Sequence, residues 1–191
     1  DTAAEHLHSP LVIHELRTRD DVIKTPCDAY VLPGGESTVM RLTGGDEEQG
    51  GSGLLPALFE QLRQTDAAVL GTCAGAILLC DPQDGEEPLI PAKIGRNAYG
   101  RQVDSFQSII DAPLLGRSFP GVFIRAPRFE SLSEGVKVAA RNGKEPVGVV
   151  SGRRLALTFH PELTEDFGFH VWLLSIAMNG VQTTFSVESE V

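Results

Sequence analysis

The chain has 191 residues, which fits one compact domain because chains tend to divide only beyond roughly 250 residues, and its 41% hydrophobic content is enough for a sizeable core. Sixteen basic against 26 acidic residues give a formal charge of −10 with no Lys/Arg cluster to neutralise a run of phosphates, which argues against a nucleic-acid partner. No apolar stretch reaches the ~20 residues of a membrane helix, and the opening DTAAEHLHSP lacks the charged and then apolar start of a signal peptide, so a cytoplasmic protein without a membrane partner is expected.

In chain order, residues 2–8 form a polar, partly helical start where a doubly wound domain usually opens with a strand. Short apolar runs at 11–16 and 29–32 read as strands. After the second comes Pro33-Gly34-Gly35-Glu36-Ser37-Thr38, a glycine pair before a helix start, with Ser37 or Thr38 suited to capping. The glycine-rich, acidic stretch 44–53 reads as a mobile surface insertion with nothing to bury, and 81–88 as a second such loop. Residues 54–64 carry apolar side chains at 54, 55, 58, 59 and 62, a helical spacing. Further strands are expected at 67–70, 122–124, 136–140, 146–150 and 155–159, and a last helix at 167–178. The tail from 181 to 191 has no helical period. Strands alternating with helices predict an α/β fold in a single domain spanning 1–191.

The sharpest chemical signal is Gly71-Thr72-Cys73-Ala74-Gly75-Ala76, where an apolar strand turns tightly into a helix. This G-x-C-x-G spacing is the cysteine counterpart of a nucleophile elbow. A helix N-terminus favours a thiolate and offers free N–H groups to an oxyanion. The alternative is a buried core cysteine beside a glycine-rich bend. The candidate base is His160 of Phe159-His160-Pro161-Glu162, at the end of an apolar strand where open α/β sheets hold their ligands. Glu162 is suited to fix the ring's tautomer, completing a nucleophile, base and orienter set.

Free N–H groups after Gly34-Gly35 could hold a carboxylate or oxyanion. Arg96 and Arg101, within Arg96-Asn97-Ala98-Tyr99-Gly100-Arg101-Gln102, suit a substrate carboxylate, though two solvated arginines explain them equally well. Phe123-Ile124-Arg125 offers backbone groups and a guanidinium just past a strand. Three cysteines, Cys27, Cys73 and Cys80, make an odd number that disfavours a disulfide framework. No C-x-x-C pair or close His/Cys cluster suggests zinc, so neither metal nor cofactor is expected.

Together these motifs resemble the class I, or triad, glutamine amidotransferases. Within that group they resemble the Pdx2/SNO family, the glutaminase subunits of pyridoxal 5′-phosphate synthase. The matches, in family order, are LPGGEST (32–38), GTCAG (71–75), RNAYGRQVDSF (96–106), FIRAP (123–127) and FHPELTED (159–166). The resemblance implies a three-layer α/β fold around a central, mostly parallel sheet. It implies Cys73 as nucleophile with His160 and Glu162 completing the triad, and glutamine held by Gly35, Glu36, Ser37, Arg96, Ile124 and Arg125. Gly35 and Ala74 would supply the oxyanion site. The implied reaction is hydrolysis of L-glutamine to glutamate and ammonia through a γ-glutamyl thioester. The ammonia would pass to a synthase subunit within a large hetero-oligomeric complex.

Family members open with a strand reading like GVLALQGA, and Glu5-His6 here match the EH that follows it, so that strand is expected to be missing from this chain. The segment before Arg96 places Pro88, Pro91 and Lys93 where the family has a β-branched strand. Two other readings are a non-catalytic glutamine-binding subunit and an amidotransferase serving another acceptor, such as the imidazole-glycerol-phosphate pathway.

Overall fold

The computed structural model describes residues 10–96 and 105–178. The first helix, α1 (Arg19–Lys24), is opened by a capping box in which Thr18 Oγ1 accepts from the Asp21 N–H while the Asp21 carboxylate accepts from the Thr18 N–H at 2.8 Å. Strand β1 (Ala29–Leu32), helix α2 (Ser37–Gly44), helix α3 (Leu54–Thr65), strand β2 (Ala68–Thr72) and helix α4 (Ala74–Cys80) follow. Then come β3 (Ala92–Gly95), β4 (Ser105–Ala112), β5 (Arg117–Ile124), β6 (Arg128–Leu132), β7 (Lys137–Asn142), β8 (Glu145–Ser151), β9 (Arg154–Leu157) and α5 (Gly168–Met178).

Seven strands form one mixed sheet in the order β1-β2-β9-β8-β7-β4-β5, and β3 and β6 make a small antiparallel pair. Pairing is parallel across β1, β2 and β9 and antiparallel beyond. The sheet curls, so that the His160 N–H just past β9 donates to the Val122 carbonyl of β5 at 2.8 Å. Helices α3 and α4 cover one face, with Leu58, Phe59, Leu62, Leu78 and Leu79 packed over Val69 and Ala156. Helix α5 covers the other with Phe169, Trp172 and Leu173 against Leu70, Leu155 and Phe159. The expected three-layer α/β arrangement is therefore present. Every residue of β2 is buried, which is why its sequence is a continuous apolar run without polar alternation. The rings of Phe119, Phe159 and Phe169 meet at centroid distances of 4.8 to 5.8 Å, holding α5 to the sheet directly behind residue 160.

Several expectations are corrected. Residues 11–16 form no strand: among the described residues nothing pairs with them, and Leu11, Val12 and Ile13 are exposed. Apolar patterning does not make a strand without a neighbouring backbone to bond. The stretch 44–53 is a folded loop, not a free insertion. It carries one 3₁₀ turn (Glu47–Gln49) and main-chain bonds from Ser52 to Thr43 and from Gly53 to Gly45, both 2.8 Å. Its glycines allow this, since a Cβ on Gly51 would lie 2.3 Å from the Gly45 carbonyl oxygen. The 81–88 loop is likewise tied down, with Asp84 gripped by the Arg63 fork at 2.8 and 3.2 Å. Despite its prolines and lysine, the segment before Arg96 forms strand β3, and β4, β6 and α1 are elements the periodicity did not signal. The segments 2–8, 97–102 and 181–191 lie outside the described residues. No helix among the described residues is long and apolar enough to cross a membrane.

Candidate active site

Three adjacent strand ends build the site. The first is the end of β1, where Pro33-Gly34-Gly35 leads into α2. The second is the end of β2, where Cys73 occupies the N-cap of α4 with φ 49° and ψ −104°. The Cys73 N–H donates to the Leu157 carbonyl of β9 at 2.8 Å, which locks the elbow to the neighbouring strand. A left-handed φ at a non-glycine residue costs of order 1–3 kcal/mol and is sustained only by such surroundings. The tight turn also needs its flanking glycines: a Cβ on Gly75 would sit 2.0 Å from the Leu32 carbonyl oxygen, and one on Gly71 would sit 2.7 Å from the Gly75 backbone.

The third end is that of β9, which delivers His160. Its Nδ1 bonds Glu162 Oε1 at 2.8 Å, and the ring and Cys73 Cβ both border the Gly34 backbone. The His160 side chain is mostly buried and that of Glu162 half-exposed. Its interaction with Cys73 first, and the bond to Glu162 second, raise His160 to about 9 against the opposing effect of burial. Burial pushes the Glu162 carboxyl upward, yet the bond to His160 and the fields of His160 and His170 outweigh it and hold the group below the ordinary glutamate value. The ring therefore stays protonated at neutral pH beside the Glu162 carboxylate.

Around this trio, the Cys73 thiol donates to the Ile124 carbonyl at 3.9 Å, at the end of β5. Arg125 follows with φ 41°, turning the chain away, and its side chain is exposed. Arg96 Nη1 donates to Thr38 Oγ1 at 2.8 Å, placing its guanidinium at the start of α2. The fold thus brings Gly35, Glu36, Ser37 and Arg96 together beside the loop that meets Cys73. Ala74 is the first residue of α4, and its N–H belongs to the free end of that helix.

The cap of α2 is not Ser37 or Thr38 but Glu36, whose carboxylate accepts from the Thr38 N–H at 3.1 Å and the Val39 N–H at 2.8 Å. Ser37 is buried and already helical, so the preceding extended residue reaches over the helix end. Those two N–H groups are consequently taken, and the anion-binding capacity of this turn rests on Gly35 and its neighbours. These bonds, with a contribution from Arg96, hold the Glu36 carboxyl below its usual value.

Gly34 has a part beyond that of a turn residue. A Cβ there would fall 2.4 Å from His160 Cε1, 3.0 Å from His160 Nδ1 and 3.5 Å from Cys73 Cβ. Its bare backbone is the surface on which the ring and the thiol meet. The signal was present as the first glycine of the pair, but which partner it faces is decided across the sheet.

The sequence pattern of the SNO glutamine amidotransferase family matches residues 4–179. A pyridoxal 5′-phosphate synthase subunit PdxT of Methanothermobacter thermautotrophicus is 42% identical over 171 residues, covering 87% of this chain and 83% of that protein. PdxT subunits of Thermus thermophilus (43% identical, covering 78% of each chain) and Haemophilus ducreyi (46%, covering 73% of this chain and 71% of the relative) are also similar. A crystal structure described as a glutamine amidotransferase superposes with a TM-score of 0.77 at 38% identity, covering 92% of this chain and 90% of that one. A family pattern that runs from before the first described residue to the end of α5, together with these relatives, establishes that the chain belongs to the SNO glutamine amidotransferase family.

Proposed function

We propose that this chain, as one domain, hydrolyses L-glutamine to glutamate and ammonia and hands the ammonia to a pyridoxal 5′-phosphate synthase subunit with which it assembles into a large complex. The observation that carries the reading is the juxtaposition of Cys73, at a strained elbow, with His160 against the Gly34 backbone, the ring being held by Glu162 at 2.8 Å. The PdxT names of its relatives support the acceptor.

The Cys73 thiolate attacks the γ-carboxamide carbon of glutamine. The carbonyl oxygen becomes an oxyanion facing the N–H groups of Gly35 and Ala74, where preorganised donors stabilise charge without rearranging. His160, protonated and held by Glu162, gives its proton to the departing nitrogen as the tetrahedral centre collapses to a thioester and ammonia leaves. The ring, now neutral, takes a proton from water as that water attacks the thioester, and glutamate is released with Cys73 restored. Glu36, Ser37, Arg96, Ile124 and Arg125 hold the α-carboxylate and α-amino end of the substrate.

The test is glutamate release from L-glutamine by the chain alone and with a pyridoxal 5′-phosphate synthase subunit. Activity that rises with the synthase and is absent in Cys73→Ala supports the reading. Turnover retained by Cys73→Ala removes Cys73 as nucleophile.

A further inference from the structure

Helices α2 and α4 start at the two halves of the site, one behind Gly35 and Glu36 and the other behind Cys73. Their far ends are joined through the side chain of Arg41. Arg41, on α2, is largely buried, and its Nη2 donates to the main-chain carbonyl of Asp81, with a second, longer contact of 3.3 Å to Asp81 Oδ2. Asp81 is the C-cap residue of α4, its own N–H bonded to the Ile77 carbonyl at 2.8 Å. A cation at this point also complements the negative end of the α4 dipole.

The rest of the guanidinium is unusual. Nε and Nη1 are buried and have no hydrogen-bond partner among the described residues. Leaving buried donors unmet is destabilising, and an apolar side chain of similar size often stabilises a core as well or better. Stability is thus a poor account of an arginine here. What a guanidinium adds is a fixed, charged link between two helices. Arg41 also lies within electrostatic range of Glu36 and Arg96.

We propose that Arg41 is a positioning residue for the reaction, an inference that rests on the glutaminase reading. By holding the C-terminal end of α4 to α2, it sets the separation between the Gly35 turn and Cys73, and so the fit of the oxyanion between Gly35 and Ala74. It acts on formation of the thioester and leaves glutamine affinity and the Cys73–His160 pair alone.

The experiment measures steady-state glutaminase kinetics of the complex with synthase for the parent chain, Arg41→Met, Arg41→Lys and Asp81→Ala, alongside the rate of Cys73 alkylation by iodoacetamide. For Arg41→Met, kcat falls about tenfold or more while KM stays within about twofold and the alkylation rate is unchanged. Arg41→Lys recovers most of kcat because an ammonium still reaches the carbonyl, and Asp81→Ala keeps it because the main acceptor is the backbone. An unchanged kcat in Arg41→Met, or a loss matched by an equal loss of alkylation, overturns the assignment. If Arg41→Met does not fold, Arg41→Lys decides: kcat near the parent value supports the link and a tenfold loss overturns it. A parent complex that releases no glutamate overturns the glutaminase reading itself, and this assignment with it.

Discussion

Gly34→Ala tests the site at its tightest point. The added methyl carbon would start 2.4 Å from His160 Cε1 and 3.0 Å from Nδ1. Carbon atoms settle at about 3.5 Å or more, so either the imidazole or the β1 turn must recede by about 1 Å. The ring has little freedom: its backbone N–H is held by Val122, its Nδ1 by Glu162, and Phe159 beside it is fully buried. A displacement of about 1 Å in a reacting group costs on the order of a hundredfold in rate, equivalent to about 2.7 kcal/mol of transition-state stabilisation. Glutamate release with the synthase present should therefore fall about a hundredfold in kcat/KM. Far-UV circular dichroism and the melting temperature should change little, since the affected turn ends an edge strand. Activity within threefold of the parent, roughly 0.7 kcal/mol, would refute the claim that this glycine sets the Cys73–His160 contact. So would a loss of activity that merely follows loss of the folded state.

Other consequences follow from the same geometry. Because His160 is raised to about 9 in the folded chain from an ordinary 6.5, its contribution to stability is complete below pH 6.5 and is lost as pH climbs through 9. Glu162→Gln alters the bond to His160 Nδ1, so the fall in urea midpoint between pH 6.5 and 9 should be shallower than in the parent; an unchanged slope would show that Glu162 does not help hold the proton. Gly75→Ala places a methyl 2.0 Å from the Leu32 carbonyl oxygen within backbone on both sides, and should leave little folded protein by circular dichroism. Phe159→Ala empties a ring packed against Phe119, Phe123 and Phe169; it should cost about 3–5 kcal/mol in denaturant unfolding and lower activity by loosening the residue before His160.

The elements that a few neighbouring residues dictate were legible in the sequence. The G-x-C-x-G turn, the helical spacing of residues 54–64 and the histidine at the end of an apolar strand all depend on local backbone geometry and periodicity. They pointed to Cys73, His160 and Glu162 as candidates. Tertiary structure decided what depends on a distant partner. Residues 11–16 have the composition of a strand but no backbone among the described residues to pair with, while β4 and β6 form because β5 and β3 lie alongside them. The glycine-rich loop at 44–53 folds because carbonyls of α2 and its own turn accept its N–H groups. Glu36 proved to be the cap of α2 because its extended backbone lets one carboxylate span two N–H groups, a choice that composition alone assigns to serine or threonine. The approach of Gly34 to His160, and the grip of Arg41 on the far end of α4, join segments widely separated in the chain. Local propensity carries no information about such contacts, since it is the curl of the sheet and the packing of helices on it that bring them within bonding distance.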